Sequence, residues 1–178
     1  MRDAPYVAPH SLDVSANKIK MTEKHYLEQL NEELSQKLGN AIWAFAKIEW
    51  LTYEYIKRLA GSSVLELVAN QSFKLRLEVL EKIIKQKKYD EGLSKNAIAV
   101  FKEAKSLSEK RNTIIHNPWQ VYVDLKEMEF VSEISKYMNP DHSYKAEDIE
   151  LFTDEAQDIA KRMQEAIIAL TSRSKRMR

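Results

Sequence analysis

The stretch Arg111-Asn112-Thr113-Ile114-Ile115-His116 puts a guanidinium, a side-chain amide and an imidazole close together in the chain. A histidine titrates near neutrality and passes protons in either direction. An arginine stays charged and grips a phosphate through a forked contact. Together the two suit transesterification of RNA, in which the ribose 2′-OH attacks the adjacent phosphorus and no metal is required. Asn112 is placed to orient the histidine or to bond the substrate.

Helical spacing frames that chemistry. Val100, Ala104, Leu107, Arg111 and Ile114 recur every three or four residues, with Ala97 and Phe101 beside them. Arg111 therefore continues an apolar stripe, where its charge must be paired, reach an edge or face a cleft. Glu49, between apolar Ile48 and Trp50, and Glu54 are the expected carboxylate partners. Arg111 and His116 lie about 140° apart around the helix, whereas Asn112 and His116 share a face. One site using both needs the long arm of Arg111 or a second copy of the chain, which favours a dimer seam. Two structural readings compete: His116 as a C-terminal cap favoured by the helix dipole, and Arg111 as a buried ion pair.

The elements that position these residues read mainly as helices. Residues 1–20 hold two of the four prolines and read as a loose arm. Thr22 can cap a first helix carrying Leu27, Leu30, Leu34 and Leu38, and Gly39-Asn40 is a possible break. Ala41, Phe45, Ile48, Thr52, Tyr55 and Leu59 mark the strongest helix, with Gly61 at its C-terminal cap. Ser63-Val64-Leu65-Glu66 has capping-box form. Ser72 can cap a helix lined by Phe73, Leu77, Leu80 and Ile84, and Ser94 can cap the helix that ends at His116 before Pro118. The period then changes: Trp119, Val121, Val123 and Leu125 alternate with polar positions, and Met128, Phe130 and Ile134 share parity, as in a hairpin over about 119–138. Asn139-Pro140-Asp141 reads as a loop. Thr153 can cap a last helix with Ala156, Ile159, Met163, Ile167 and Leu170 inward, followed by a basic tail, 173–178. The expected fold is all-α, four or five helices in one domain over 21–172, with the hairpin inserted before the last helix.

Composition narrows the function classes. There are no cysteines among 178 residues, so disulfides and thiolate metal sites are excluded. His10, His25 and His142 are scattered, and no His/Glu pair has metal-ligand spacing; no metal or cofactor is expected. No glycine-rich phosphate loop is present, and no nucleophile-elbow sequence surrounds Ser106 or Ser108. The net charge of +1 makes any case for nucleic acid local. The longest apolar run, around 42–53, is interrupted by Lys47 and Glu49, so no membrane span is expected, nor a leader peptide, and the cytoplasm is the default. Lys82, Lys85, Lys87 and Lys88 form a basic patch suited to phosphates or simply to solvent. Trp119 reads as a base-stacking residue or as the first core residue of the hairpin, and Trp43 and Trp50 as core or dimer surface.

The segment Glu109-Lys110-Arg111-Asn112-Thr113-Ile114-Ile115-His116-Asn117-Pro118-Trp119 resembles the signature of HEPN-type domains: arginine, a polar residue, then histidine after four to six intervening positions, here four. The helix order over about 22–172 resembles that family architecturally. The resemblance implies a HEPN-like up-down bundle, frequent homodimers and metal-independent endoribonuclease activity, often in toxin–antitoxin, anti-phage or RNA-processing roles. It carries catalytic roles onto Arg111, His116 and Asn112, with Trp119, Lys85 and Lys88 as weaker substrate contacts. RNA, a second copy of the chain and an antitoxin or defence protein are the implied partners. Some members of the family instead bind nucleotides or act as interaction modules, and the hairpin is not part of the minimal family core.

Overall fold

Apolar residues at helical spacing need a shared core, and the chain supplies one by packing helices on one another, with a small sheet contributing Ile134. A computed structural model describes the backbone of residues 11–87, 89–126, 129–136 and 139–174. Its elements are α1 (Ser11–Ala60), α2 (Ser62–Val68), α3 (Phe73–Gln86), α4 (Glu91–His116), β1 (Trp119–Asp124), β2 (Glu129–Lys136), β3 (Asn139–Lys145) and α5 (Ala146–Ser174). The class is thus mainly helical, as the periodicity implies. Two compact units divide the chain: Met1–Gln36, helical from Ser11, and Lys37–Arg178, which holds the core and the site.

The helix ends separate good sequence signals from weak ones. Gly61 closes α1 at φ 93°, in the left-handed region open to glycine, and its N–H bonds the Lys57 carbonyl at 3.0 Å. Ser72 caps α3, its side chain accepting from the Leu75 N–H at 3.3 Å. Four expectations shift. Residues 11–20, expected as part of an arm, are helical, so α1 starts upstream of Thr22; residues 1–10 lie outside the described residues. Gly39 does not interrupt α1: a helical glycine costs about 1 kcal/mol, less than the burial of Ala41, Ala44 and Phe45 beyond it returns. Ser63 lies inside α2, which follows Gly61 directly with no side-chain cap. Asp90, not Ser94, caps α4 by accepting from the Leu93 N–H at 3.1 Å.

The largest difference precedes α5. The segment beginning Asn139-Pro140-Asp141, expected as a loop, is β3, so the hairpin becomes a three-stranded antiparallel sheet of order β1-β2-β3. Trp119 pairs with Ile134 and Val123 with Phe130, while Ile134 also pairs with Tyr144. Pro140 is tolerated because β3 is an edge strand, where a missing N–H breaks no inner ladder. Met128 and residues 175–178 of the expected tail lie outside the described residues. Helix α5 starts straight from β3, with Asp148 in its first turn accepting from the Lys145 N–H at 2.8 Å. Thr153 is interior, its hydroxyl donating to the Ile149 carbonyl at 2.8 Å.

The core is the stripe set legible in the sequence. Phe45, Ile48, Tyr55 and Leu59 of α1 meet Leu77, Leu80 and Ile84 of α3, Val100, Phe101 and Leu107 of α4, and Phe152, Ile159, Met163 and Leu170 of α5. Phe45 makes an edge contact with Phe73 at 5.3 Å and stacks on Phe152 at 6.2 Å; Tyr55 makes an edge contact with Phe101 at 5.1 Å. The buried Tyr55 hydroxyl donates to the Met163 carbonyl at 2.6 Å, and burial pushes its phenol above the ordinary tyrosine range. Helix α4 is tied to α5 at the surface: Arg162 forks onto both Glu103 oxygens while its Nε donates to Asp158 at 2.8 Å. Among the described residues no helix is long and apolar enough to cross a membrane.

Two measurements test this packing. Tyr55→Phe keeps the ring but removes the bond to Met163, and should lower unfolding free energy by about 1 kcal/mol in urea denaturation. The Arg162 guanidinium holds the Glu103 carboxyl below the usual carboxylate range. A depressed folded-state pKa contributes stability above the unfolded value of about 4.3, lost as pH falls through the lower folded value. Glu103→Gln should therefore lower Tm slightly at pH 7, within the ~1 kcal/mol of a half-exposed pair, and the gap from wild type should close on acidification.

Candidate functional site

Arg111 stands on α4 between buried Leu107 and Ile114, as its stripe position requires. Its side chain is 28% exposed and its environment leaves it short of partners. One Nη donates to Asn112 Oδ1 at 3.1 Å. The other lies 3.8 Å from Glu49 Oε1, an ion pair beyond hydrogen-bond distance. The guanidinium stands over the Phe45 ring at 5.5 Å. Its Nε is buried and has no hydrogen-bond partner. An arginine offers five N–H donors, and this one uses a single short bond. Glu54, the other expected partner, is taken by Arg58 at 3.2 Å.

Arg111 lines a cleft of about 370 Å³ between α1, α3 and α4. Phe45 and Glu49 supply one side, Ser72, Phe73 and Lys74 another, and Lys105, Ser108, Glu109 and Asn112 the third. Asn112, which the Arg111 guanidinium bonds, lies on the exposed face that carries His116, one turn on and about 6 Å along the axis.

His116 is exposed at the last residue of α4 and does not line the Arg111 cleft. It is not the helix cap. That role belongs to Asn117, extended at φ −118°, whose side-chain amide donates to the Thr113 carbonyl at 2.7 Å. Pro118 imposes that extended geometry on Asn117. The imidazole is therefore free of the capping role proposed for it.

The remaining sequence candidates are scattered. Trp119 opens β1 and packs partly buried against the core, its Nε1 buried without a hydrogen-bond partner. Lys85 is outside the cleft, paired with Glu81 at 2.6 Å on the exposed side of α3. Lys88 lies outside the described residues. Trp43, 80% exposed, and Trp50 are surface residues, which removes the core reading for both. Among the described residues no group of three or more His, Cys, Asp or Glu is disposed to hold a metal ion.

Sequence reasoning missed the two lysines of the cleft. Lys105, Glu109, Asn112 and His116 follow spacings of four, three and four, so that stripe was legible. Lys74 comes to the cleft only through the turn joining α2 to α3, which no local spacing reveals.

The chain matches no protein-family model, no curated protein and no solved structure.

The division of labour at the end of α4 predicts a contrast. Asn117→Ala should cost about 1 kcal/mol through the lost cap, and His116→Ala should stay within about 0.5 kcal/mol of wild type. Equal losses in chemical denaturation would mean that His116 supports the fold.

Proposed function

We propose that this chain is a metal-independent endoribonuclease of HEPN type, an up-down helical bundle acting as a homodimer in the cytoplasm, in a toxin or anti-phage defence role. The observation that carries the reading is the bond from Arg111 to Asn112. It ties a guanidinium short of partners to an amide that stands one helical turn from an exposed histidine. Arg111 holds the scissile phosphodiester and stabilises the charge that develops on it. One histidine takes the proton of the ribose 2′-OH, which attacks phosphorus; the P–O5′ bond breaks, and the departing oxygen receives a proton from a second imidazole. The products are a 2′,3′-cyclic phosphate and a free 5′-OH. Two copies of the motif facing one another supply both imidazoles, which is why the dimer belongs to the mechanism.

Incubation of the purified protein with total RNA in the presence of chelator should give cleavage ending in cyclic phosphates. His116→Ala and Arg111→Ala, both folded, should lose at least about a hundredfold in rate, the scale of a missing acid–base group. Absence of cleavage by folded wild type on every RNA offered, with no growth inhibition on expression, would sink the reading.

A second reading rests on the Glu49–Arg111 contact, which already gives the arginine a carboxylate partner. Under it the chain is a non-catalytic helical module that binds a nucleotide, RNA or a partner protein through the same cleft. Retained RNA binding with no cleavage by wild type or either variant would select it.

A further inference from the structure

Lys74 breaks a local rule. It is the second residue of α3, at the positive end of that helix, where a cation is unfavourable and a carboxylate is favoured. The first turn of α3 holds no acidic residue. Two residues on, Arg76 is only 6% exposed. Its Nε donates to Thr52 Oγ1 at 3.0 Å, an Nη donates to the Gln71 carbonyl at 2.5 Å, and its guanidinium lies 4.4 Å from the centre of the Tyr53 ring. No carboxylate among the described residues pairs with Arg76 or with Lys74. Arg76 is thus satisfied locally, and Lys74, exposed, is the cation here left without local compensation, a break of local rules that points to a role other than stability.

The opposite wall of the cleft carries two further cations, each only weakly paired. Lys105 reaches Glu78 at 3.4 Å, a half-exposed contact of small net worth. Arg111 keeps a buried Nε without a partner. Around the cleft, Lys74, Lys105 and Arg111 outnumber Glu49 and Glu109. The exposed stripe from Lys105 through Glu109 and Asn112 to His116 runs about 16 Å along α4.

We infer that the Lys74–Lys105 end of the cleft holds the backbone phosphates flanking the one at Arg111, so that the ligand is a single polynucleotide strand laid along α4. This rests on the proposed RNA-directed reading of Arg111 and His116 and extends it to residues outside the Arg–His motif. A cleft of about 370 Å³ suits a single strand, whose unstacked base can enter it, better than a duplex, whose bases stay stacked inside. Lysine contacts to phosphate do not read the sugar, so DNA and RNA single strands bind this subsite alike, although only RNA carries the attacking 2′-OH. Phe73 and Phe45 in the cleft wall offer apolar contact to an unstacked base.

The test uses the full chain and fluorescence anisotropy with three short labelled probes of one sequence: single-stranded DNA, single-stranded RNA bound to His116→Ala, and the DNA duplex. Wild type should bind single-stranded DNA with a salt dependence that falls by about 1.4 in log–log slope in the Lys74→Ala/Lys105→Ala variant, two phosphate contacts at ~0.7 each. Affinity at low salt should fall roughly tenfold. Lys95→Ala, which removes a single charge from a pair with Glu91 near the start of α4 and away from the cleft, should leave the slope unchanged. The RNA probe should respond to the double substitution as the DNA does, and the duplex should bind more weakly than either strand. A double variant with wild-type slope and affinity, confirmed folded by circular dichroism, overturns the subsite while leaving cleavage at Arg111 and His116 intact. Duplex binding as tight as single-strand binding also overturns it. A wild type that neither binds nor cleaves any strand overturns this inference and the proposed function together.

Discussion

A charged guanidinium at the end of an apolar stripe constrains everything around it. Leu107 and Ile114 are fully buried one turn before and one turn after Arg111, so α4 cannot rotate to send this arginine into water without exposing both. The neighbours accommodate it instead. Phe45 presents a ring face, Asn112 an amide oxygen and Glu49 a carboxylate held short of contact. That arrangement lowers the cost of burying the charge without exhausting its donors. An arginine meant only for structure would be expected to close a forked pair with Glu49. Here the fork is open and a cleft lies before it.

The rest of the fold fixes that cleft in place. Phe45 belongs simultaneously to the core and to the Arg111 site, since it packs on Phe73 and Phe152 while facing the guanidinium. Helix α4 is anchored to α5 by the Arg162–Glu103 fork and by Lys110–Glu155 at 2.8 Å. The sheet follows from the end of α4: Pro118 turns the chain into β1, Asn117 closes the helix behind it, and buried Ile134 seats β2 under the bundle. Site, cap and sheet thus share one short segment, Arg111–Trp119.

Much of this was legible in the residues. The core stripes on α1, α3, α4 and α5 follow from apolar spacing alone, because burial on one helical face is what that spacing encodes. Gly61 and Ser72 were correctly placed because each has a local signal with one physical meaning, a left-handed cap and a side-chain acceptor. Ser63, Ser94 and Thr153 misled because Ser and Thr also occur within helices, where their hydroxyls bond back to the preceding turn, as Thr153 does. β3 was hidden by Pro140, which argues against a central strand but not against an edge. At the site, Arg111 and its Glu49 partner could be read from stripe positions. The bond from Arg111 to Asn112 could not, since it depends on side-chain rotamers. Nor could Lys74, which reaches the cleft only through tertiary packing.

The most direct test of the account is a titration of the folded protein with an uncleavable single-stranded DNA, following the Arg111 Nε–H and the His116 ring protons by NMR. If the open donors of Arg111 await a phosphate on the His116 face, both sets of resonances move together along one binding curve, and Arg111→Lys abolishes the shift at His116. Saturable binding that leaves the Arg111 Nε–H resonance unmoved would contradict it.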